Sequence, residues 1–277
     1  MLITASIVTY KTDRGELARC LQSLAGSPVG HIYVCDNSPD DSLREFCAAY
    51  RPVTYIHNGA NIGYGAGHNV AIRLSIARKS DYHLVINSDV YFSPGTIERI
   101  VEYMEQNSDV AQLIPNVVYP DGRLQYVCRL LPTPVNLIFR RFLPASVVRR
   151  INYRYLLQFA DHGKPMNVPY HQGSFMFFRT CCLERVGMFD ERFFMYPEDI
   201  DLTRRMHRHY RTMFWPGVTI VHAHRASSYT DKKMLKIHMS NMIKYFNKWG
   251  WLFDKERRCW NRRLLAELGY KNPPAGK

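Results

Sequence analysis

His83-Leu84-Val85-Ile86-Asn87-Ser88-Asp89 is a short apolar run that breaks off in three polar residues. A run of this length, bounded in this way, reads as a strand buried on both faces that ends at a loop. Similar runs precede it at residues 2–9, 31–35 and 54–57. Between them, Leu17, Leu21 and Leu24 recur at helical spacing, as do Val70 and Leu74. Ser93-Pro94 supplies an N-cap and first position for a helix ending at Gln106, with Ile97, Ile100, Val101 and Met104 as its buried stripe. Alternation of this kind predicts an α/β fold, a sheet flanked by helices.

Downstream, Pro120-Asp121-Gly122 makes a tight turn. The rhythm then fails across a Pro- and Arg-rich stretch, residues 131–170, which reads as an insertion with a helix around 145–159. Order resumes with a strand at 174–178, a helix at 199–209 and short strands at 212–215 and 218–222. A basic, aromatic helical tail closes the chain.

With 277 residues, 46% of them hydrophobic, the chain can bury a substantial core. It shows no leader pattern and no apolar run of about 18 residues, so a soluble or peripheral cytoplasmic protein is expected. Seven scattered cysteines without CxxC spacing are expected to be reduced and mostly buried. The net charge of +13 is uneven. Residues 122–160 hold seven arginines and no acid, and residues 226–277 hold twelve lysines and arginines against four acids. Two basic segments on a nearly neutral body imply a localised anionic partner: nucleic acid, phospholipid or a pyrophosphate-bearing substrate.

In an open α/β sheet, ligands bind beyond the carboxyl ends of the strands. Four polar clusters fall there: Thr9-Tyr10, Asp36-Asn37-Ser38, the glycine-rich residues 61–69, and Asn87-Ser88-Asp89. The glycine run follows the third strand, not the first, which disfavours a dinucleotide fingerprint. Asp36 is suited to orient a nucleoside through base N–H or ribose hydroxyls, or else closes an Asx-turn before Pro39. An acid at the end of an apolar strand needs solvent, a partner or a metal, and for Asp89 a hard divalent cation bridging two phosphates fits. Glu198, Asp199 and Asp201 exceed what a helix cap needs, and their crowding raises at least one pKa toward a general base's range. His222 and His224 alternate on a strand, so at most one of them serves as a metal ligand.

In this order the motifs resemble the inverting family 2 glycosyltransferases of GT-A fold, especially bacterial rhamnosyltransferase-like enzymes of O-antigen and cell-wall assembly. The resemblance spans roughly residues 3–230. It implies a GT-A type Rossmann-like catalytic domain over residues 1–225, with a nucleotide-sugar-binding half (1–121), a basic helical insertion (122–170) and an acceptor half (171–225). Residues 226–277 form a basic aromatic C-terminal helical segment. The resemblance puts Asp36 on the nucleobase and Asn61, Gly63 and Asn69 along the nucleoside, with Thr9 and Tyr10 at the opening strand's end. Asn87, Ser88 and Asp89 take the place of the DXD motif, with Asn87 replacing its first acid. Asp89 and His222 would hold the Mg2+ or Mn2+ ion, Asp199 would deprotonate the acceptor and Glu198 would tune it. A nucleotide-sugar donor and a saccharide acceptor linked to polyprenyl pyrophosphate are implied, the best donor being dTDP-L-rhamnose.

The tail places Lys244, Lys248, Arg257 and Arg258 among Trp249, Trp251 and Phe253, as interfacial helices do, which predicts peripheral attachment to an anionic membrane at its inner face. A packed helical cap is the plainer alternative. A nucleic-acid-binding module would use the same charges but leaves the Glu198–Asp201 acids unexplained, so nucleic acid is not expected as a partner. A nucleotidyltransferase would share the sheet and the metal-bound acid, yet Lys11-Thr12-Asp13-Arg14-Gly15 is only faintly its basic loop.

Overall fold

The computed structural model describes residues 1–223 and 232–271. Strands β1 (Ile3–Thr9), β2 (Val29–Asp36), β3 (Val53–His57) and β4 (Tyr82–Ile86) run parallel in the order β3-β2-β1-β4. Between them lie α1 (Arg14–Ala25), α2 (Arg44–Ala48) and α3 (Tyr64–Ala77). Then follow β5 (Val90–Phe92), α4 (Thr96–Gln106), β6 (Val110–Val118), α5 (Pro134–Leu137), α6 (Ala145–Tyr155), β7 (Met166–Asn167) and β8 (Phe175–Arg179). The described part ends with α7 (Thr180–Val186), α8 (Glu198–His207), β9 (Arg211–His222), α9 (Lys232–Trp249) and α10 (Lys255–Glu267).

The sheet continues from β4 as β8-β6-β9-β5, nine strands in all with β7 on β9. β8 is antiparallel to both β4 and β6, so the start of β8 lies beside the end of β4, and Asn87 donates its N–H to the Ser174 carbonyl at 3.0 Å. That reversal builds the site, because it brings residues 173–174 to the carboxyl edge of the parallel strands.

Several expectations shift by a residue or more. The strand predicted at 174–178 is β8, and the two predicted at 212–215 and 218–222 are one continuous β9 with a register shift opposite Pro115 and Asn116. β6, which the sequence reading did not name, carries Pro115 at that irregularity, where a missing ladder N–H is tolerated. The helical spacing of Val70 and Leu74 is that of α3, which packs Val70 against Tyr33 and Cys35 but leaves Leu74 40% exposed and buries Ala71, Ile72 and Ser75 instead. The cap of α4 is Gly95, with Ser93 and Pro94 preceding it. The stretch 122–170 contributes β7 to the sheet as well as α6. Five cysteines are buried, while Cys181 and Cys259 are exposed. His224 lies outside the described residues.

The basic tail is largely a packed cap. Met242, Tyr245 and Phe246 of α9 and Leu264 and Leu265 of α10 join the same core as Ile3 and Phe175. Arg204, 1% exposed, donates two 2.7 Å hydrogen bonds to Asp254 and a third to Glu256, with Trp249 stacked 4.1 Å above its guanidinium. Lys248 pairs with Asp201 and Asp190, and Arg257 is buried with its guanidinium on the Pro132, Gly250 and Trp251 carbonyls. Trp249, Lys248 and Arg257 therefore hold the fold together and are not interfacial anchors. Among the described residues no helix is long and apolar enough to cross a membrane.

Removing one partner of a buried ion pair strands the other, which costs about 3–5 kcal/mol. Arg204→Met is expected to destabilise the protein by that amount, read as a fall in the midpoint of denaturant unfolding. A change below about 1 kcal/mol would mean that Asp254 is solvated without its partner.

Candidate active site

Two features hold the first turn of α3 against the sheet. Gly63 has φ 95°, and a Cβ there would sit 2.5 Å from the Phe194 carbonyl oxygen; at Gly67 it would sit 2.8 Å from the Val8 side chain. Only residues without a Cβ permit this approach. It lets Tyr64 lie in the floor of the site, its hydroxyl donating to the Gly173 carbonyl at 2.6 Å or to the Asn87 Oδ1 at 2.9 Å. Burial, and then the charges of Glu198, Asp199 and Asp89, push the Tyr64 hydroxyl's pKa up, so it stays a donor.

Asn37 knits the donor-side clusters together. Its amide donates to the Gly63 carbonyl and accepts from Asn58, its main-chain N–H donates to the Thr9 carbonyl, and Asn61 Oδ1 accepts from the Gly63 N–H. Asp36 is buried at the end of β2, its carboxylate accepting from the Ser38 N–H at 2.9 Å and the Tyr55 hydroxyl at 2.7 Å. The Asx-turn foreseen as the alternative is thus present. Asn69 is buried and pins the 189–191 loop through Phe189 and Glu191, so α3 turns it away from the donor-side clusters. Tyr10 is 48% exposed at the edge.

At the other edge, antiparallel pairing of β5 with β9 sets Val90 against His222. Asp89, the residue before β5, is thereby placed with its carboxylate 3.4 Å from His222 Nε2. The other ring nitrogen, Nδ1, donates to Gln125 Oε1 at 2.9 Å, and the Gln125 amide donates to the His222 carbonyl at 2.7 Å. Fixing one imidazole nitrogen leaves the second oriented toward the carboxylate, the arrangement that metal-binding histidines use. One carboxylate oxygen and one imidazole suit a first-row divalent cation whose remaining positions are filled by phosphate oxygens and water. Among the described residues no cluster of three or more His, Cys, Asp or Glu makes a self-sufficient metal cage.

Glu198 and Asp199 open α8 and are 4% and 7% exposed. Asp199 accepts from the Gly173 N–H at 2.9 Å and from its neighbour Ile200 at 2.7 Å. Glu198 Oε2 has no partner among the described residues. Burial raises both pKa values, and for Glu198 the adjacent Asp199 charge adds to it; the two N–H donors and Arg129 favour the ionised form of Asp199. The pair is thus biased toward a proton on Glu198 and a charge on Asp199. Asp201 faces the other way, buried on Arg205, Lys248 and Trp249.

A cavity of about 930 Å³ gathers Asn87, Tyr64, Arg129, Glu198 and Asp199. Arg129, Gln125, Tyr64 and Gly173 were not singled out as functional by sequence. Arg129 was visible only as one charge in a basic segment, and Gln125 lies 97 residues from the histidine it orients.

This sheet order, with an Asp–His pair at one strand end and buried carboxylates beside it, defines a glycosyltransferase of GT-A fold. The chain belongs to the glycosyltransferase-like family 2, whose sequence profile matches residues 2–243. It is 28% identical over 205 residues to the low-salt glycan biosynthesis hexosyltransferase Agl10 of Haloferax volcanii, covering 73% of this chain and 60% of that one. It is 27% identical over 241 residues to the N-acetylglucosaminyl-diphospho-decaprenol L-rhamnosyltransferase of Mycobacterium tuberculosis, covering 80% and 75% respectively. Among solved structures, GalNAc-T7 with UDP, GalNAc and Mn2+ superposes with a TM-score of 0.66 at 11% identity, over 97% of this chain and 57% of that one. The chain thus spans less than two thirds of two of these three proteins.

Because the fold raises the carboxyl pKa values of Glu198 and Asp199, the folded chain binds more protons than the unfolded one. Their stabilising contribution is complete at acid pH and is lost as pH rises through the folded values. Glu198→Gln, which cannot ionise, is expected to unfold at a higher temperature than wild type by a margin that grows between about pH 4.5 and about pH 8 and levels off above that. Melting curves across that range that stay parallel would place the proton elsewhere.

Proposed function

We propose that the chain transfers a hexose, with L-rhamnose from dTDP-rhamnose as the best candidate, from a nucleotide-sugar donor to a hydroxyl of a saccharide linked to polyprenyl pyrophosphate. The reaction inverts the anomeric centre and takes place at the inner face of a membrane. The observation that carries the reading is the single cavity that joins Asn87, at the end of β4, to the Glu198–Asp199 pair. The diphospho-decaprenol rhamnosyltransferase relative supports the lipid-linked acceptor and the rhamnose donor.

On this reading Thr9, Tyr10, Asp36, Asn61 and Gly63 form or brace the nucleoside side, and Asn87, Ser88 and Asp89 the phosphate side. Asp89 and His222 would hold Mg2+ or Mn2+, which when bound neutralises charge on the departing diphosphate; the Mn2+ in GalNAc-T7 supports this. Asp199 takes the acceptor hydroxyl's proton as that oxygen attacks the anomeric carbon, so no covalent sugar–enzyme intermediate is needed. The Gly173 N–H fixes the base's orientation, and Arg129 keeps it ionised. Glu198, protonated, spares Asp199 a second adjacent charge.

Asp89→Ala is expected to abolish transfer and to weaken metal-dependent donor binding, measured by titration of nucleotide sugar with and without the cation. Near-normal turnover in that variant, or full activity in chelator, would sink the metal assignment.

Asp199→Asn should leave donor affinity roughly intact and reduce kcat by about two to four orders of magnitude, the usual worth of a general base. If Glu198→Gln is the more damaging change while Asp199→Asn stays active, the two roles are exchanged.

A further inference from the structure

A second cavity, of about 800 Å³, lies against the opposite face of α6 from the active site. Val148, Arg149 and Asn152 of that helix face the carboxylate cavity, whereas Arg150, Ile151 and Arg154 face this one. The far wall is α10, which contributes Lys255, Arg258 and Arg262. Leu130 and Leu131 form an apolar floor, tied to α10 by Asn261, whose amide bonds the Leu131 N–H at 2.9 Å and its carbonyl at 2.8 Å. The two basic segments of the sequence meet here, through cations about a hundred positions apart in the chain.

No acid lines the cavity. Arg150, Arg154, Lys255, Arg258 and Arg262 form no ion pair among the described residues, and the buried Arg257 behind them spends its guanidinium on main-chain carbonyls. Elsewhere the chain pairs its cations closely, as at Arg204, Arg205 and Lys248. Like charges converging on a concave, partly apolar wall focus a positive field and repel one another until an anion enters. Guanidinium forks match phosphate oxygens in pairs. Apolar side chains stand exposed close by in the chain: Val135 of the lining is 41% exposed, and Leu252 and Phe253, just before the lining residue Lys255, are 72% and 88% exposed. Cations beside protruding aromatic and aliphatic side chains are the composition of a surface that rests in lipid headgroups.

We propose that this cavity binds the phosphate of an anionic phospholipid in a bilayer, with Leu252 and Phe253 inserted at headgroup depth. This extends the membrane reading above: of the tail residues that the sequence suggested it keeps Arg258 and Phe253, sets Lys248, Trp249 and Arg257 aside, and rests on a built pocket separate from the carboxylate cavity. The test is co-sedimentation of the full chain with phosphatidylcholine vesicles, with and without phosphatidylglycerol. Three proteins are compared: wild type, Arg154→Gln/Arg258→Gln/Arg262→Gln, and a charge-matched control, Arg51→Gln/Arg78→Gln/Lys79→Gln, on exposed residues outside the cavity. The expected result is recruitment of wild type by the anionic vesicles only, a loss of roughly 100-fold in partitioning for the cavity variant, and a much smaller loss for the control. Leu252→Ser/Phe253→Ser should also weaken recruitment without changing calorimetric binding of inorganic phosphate. Equal losses in the cavity and control variants would overturn the proposal in favour of a diffuse field. Saturable binding of inorganic phosphate that the cavity variant abolishes, with vesicle recovery unchanged, would overturn it in favour of a soluble ligand. Partitioning requires neither donor nor acceptor, so a failure to detect sugar transfer leaves this result standing, and the reverse holds as well.

Discussion

Two carboxyl groups buried side by side, Glu198 and Asp199, impose the constraint that the rest of the molecule is arranged to meet. Neither desolvation nor mutual repulsion is tolerable without compensation. The fold supplies it from four directions: the N-terminus of α8, the Gly173 N–H, the Arg129 guanidinium and a bias toward a proton on Glu198. Gly173 is available only because β8 runs antiparallel to β4 and so begins where β4 ends. The reversal in the sheet and the chemistry of the site are therefore one fact.

A helix that carries two buried acids at its start must not shift. α8 is locked along its length, by Asp201 to Arg205 and Lys248 and by Arg204 to Asp254 and Glu256. Those last partners belong to the C-terminal segment, which therefore packs as one body with α8. The glycines of residues 61–69 play the matching role on the other side. They bring α3 close enough to β1 and to the 189–194 loop for Tyr64 to bridge Asn87 and Gly173.

The charge excess divides into two populations once the chain is folded. Lys248 and Arg257 of the tail are consumed by internal acids and carbonyls, which is where basic residues of a tail go when it packs. A second group, Arg150 and Arg154 of α6 and Lys255, Arg258 and Arg262 of α10, gathers around a cavity that lacks acids. α6 has catalytic space on one face and this basic space on the other, so the insertion acts as a partition between two binding environments.

By itself the sequence determined the parallel half of the sheet, because apolar runs and helical spacing are local signals that survive without tertiary context. It determined most strand-end clusters as well, since Asn87, Asp89, Glu198 and Asp199 are polar where their neighbours are apolar. It did not separate Asp201 from its neighbours, because helical phase decides which acids face the cavity, nor Asn69 from the nucleoside loop, because α3 turns that side chain onto Phe189. Gln125 and Arg129 left no signal beyond composition, and β6 hid behind Pro115. What only the tertiary structure decided was long-range pairing: which strand reverses, which cation meets an acid, and which basic residues remain without one. Those outcomes rest on contacts between residues tens to more than a hundred positions apart, and no local pattern encodes them.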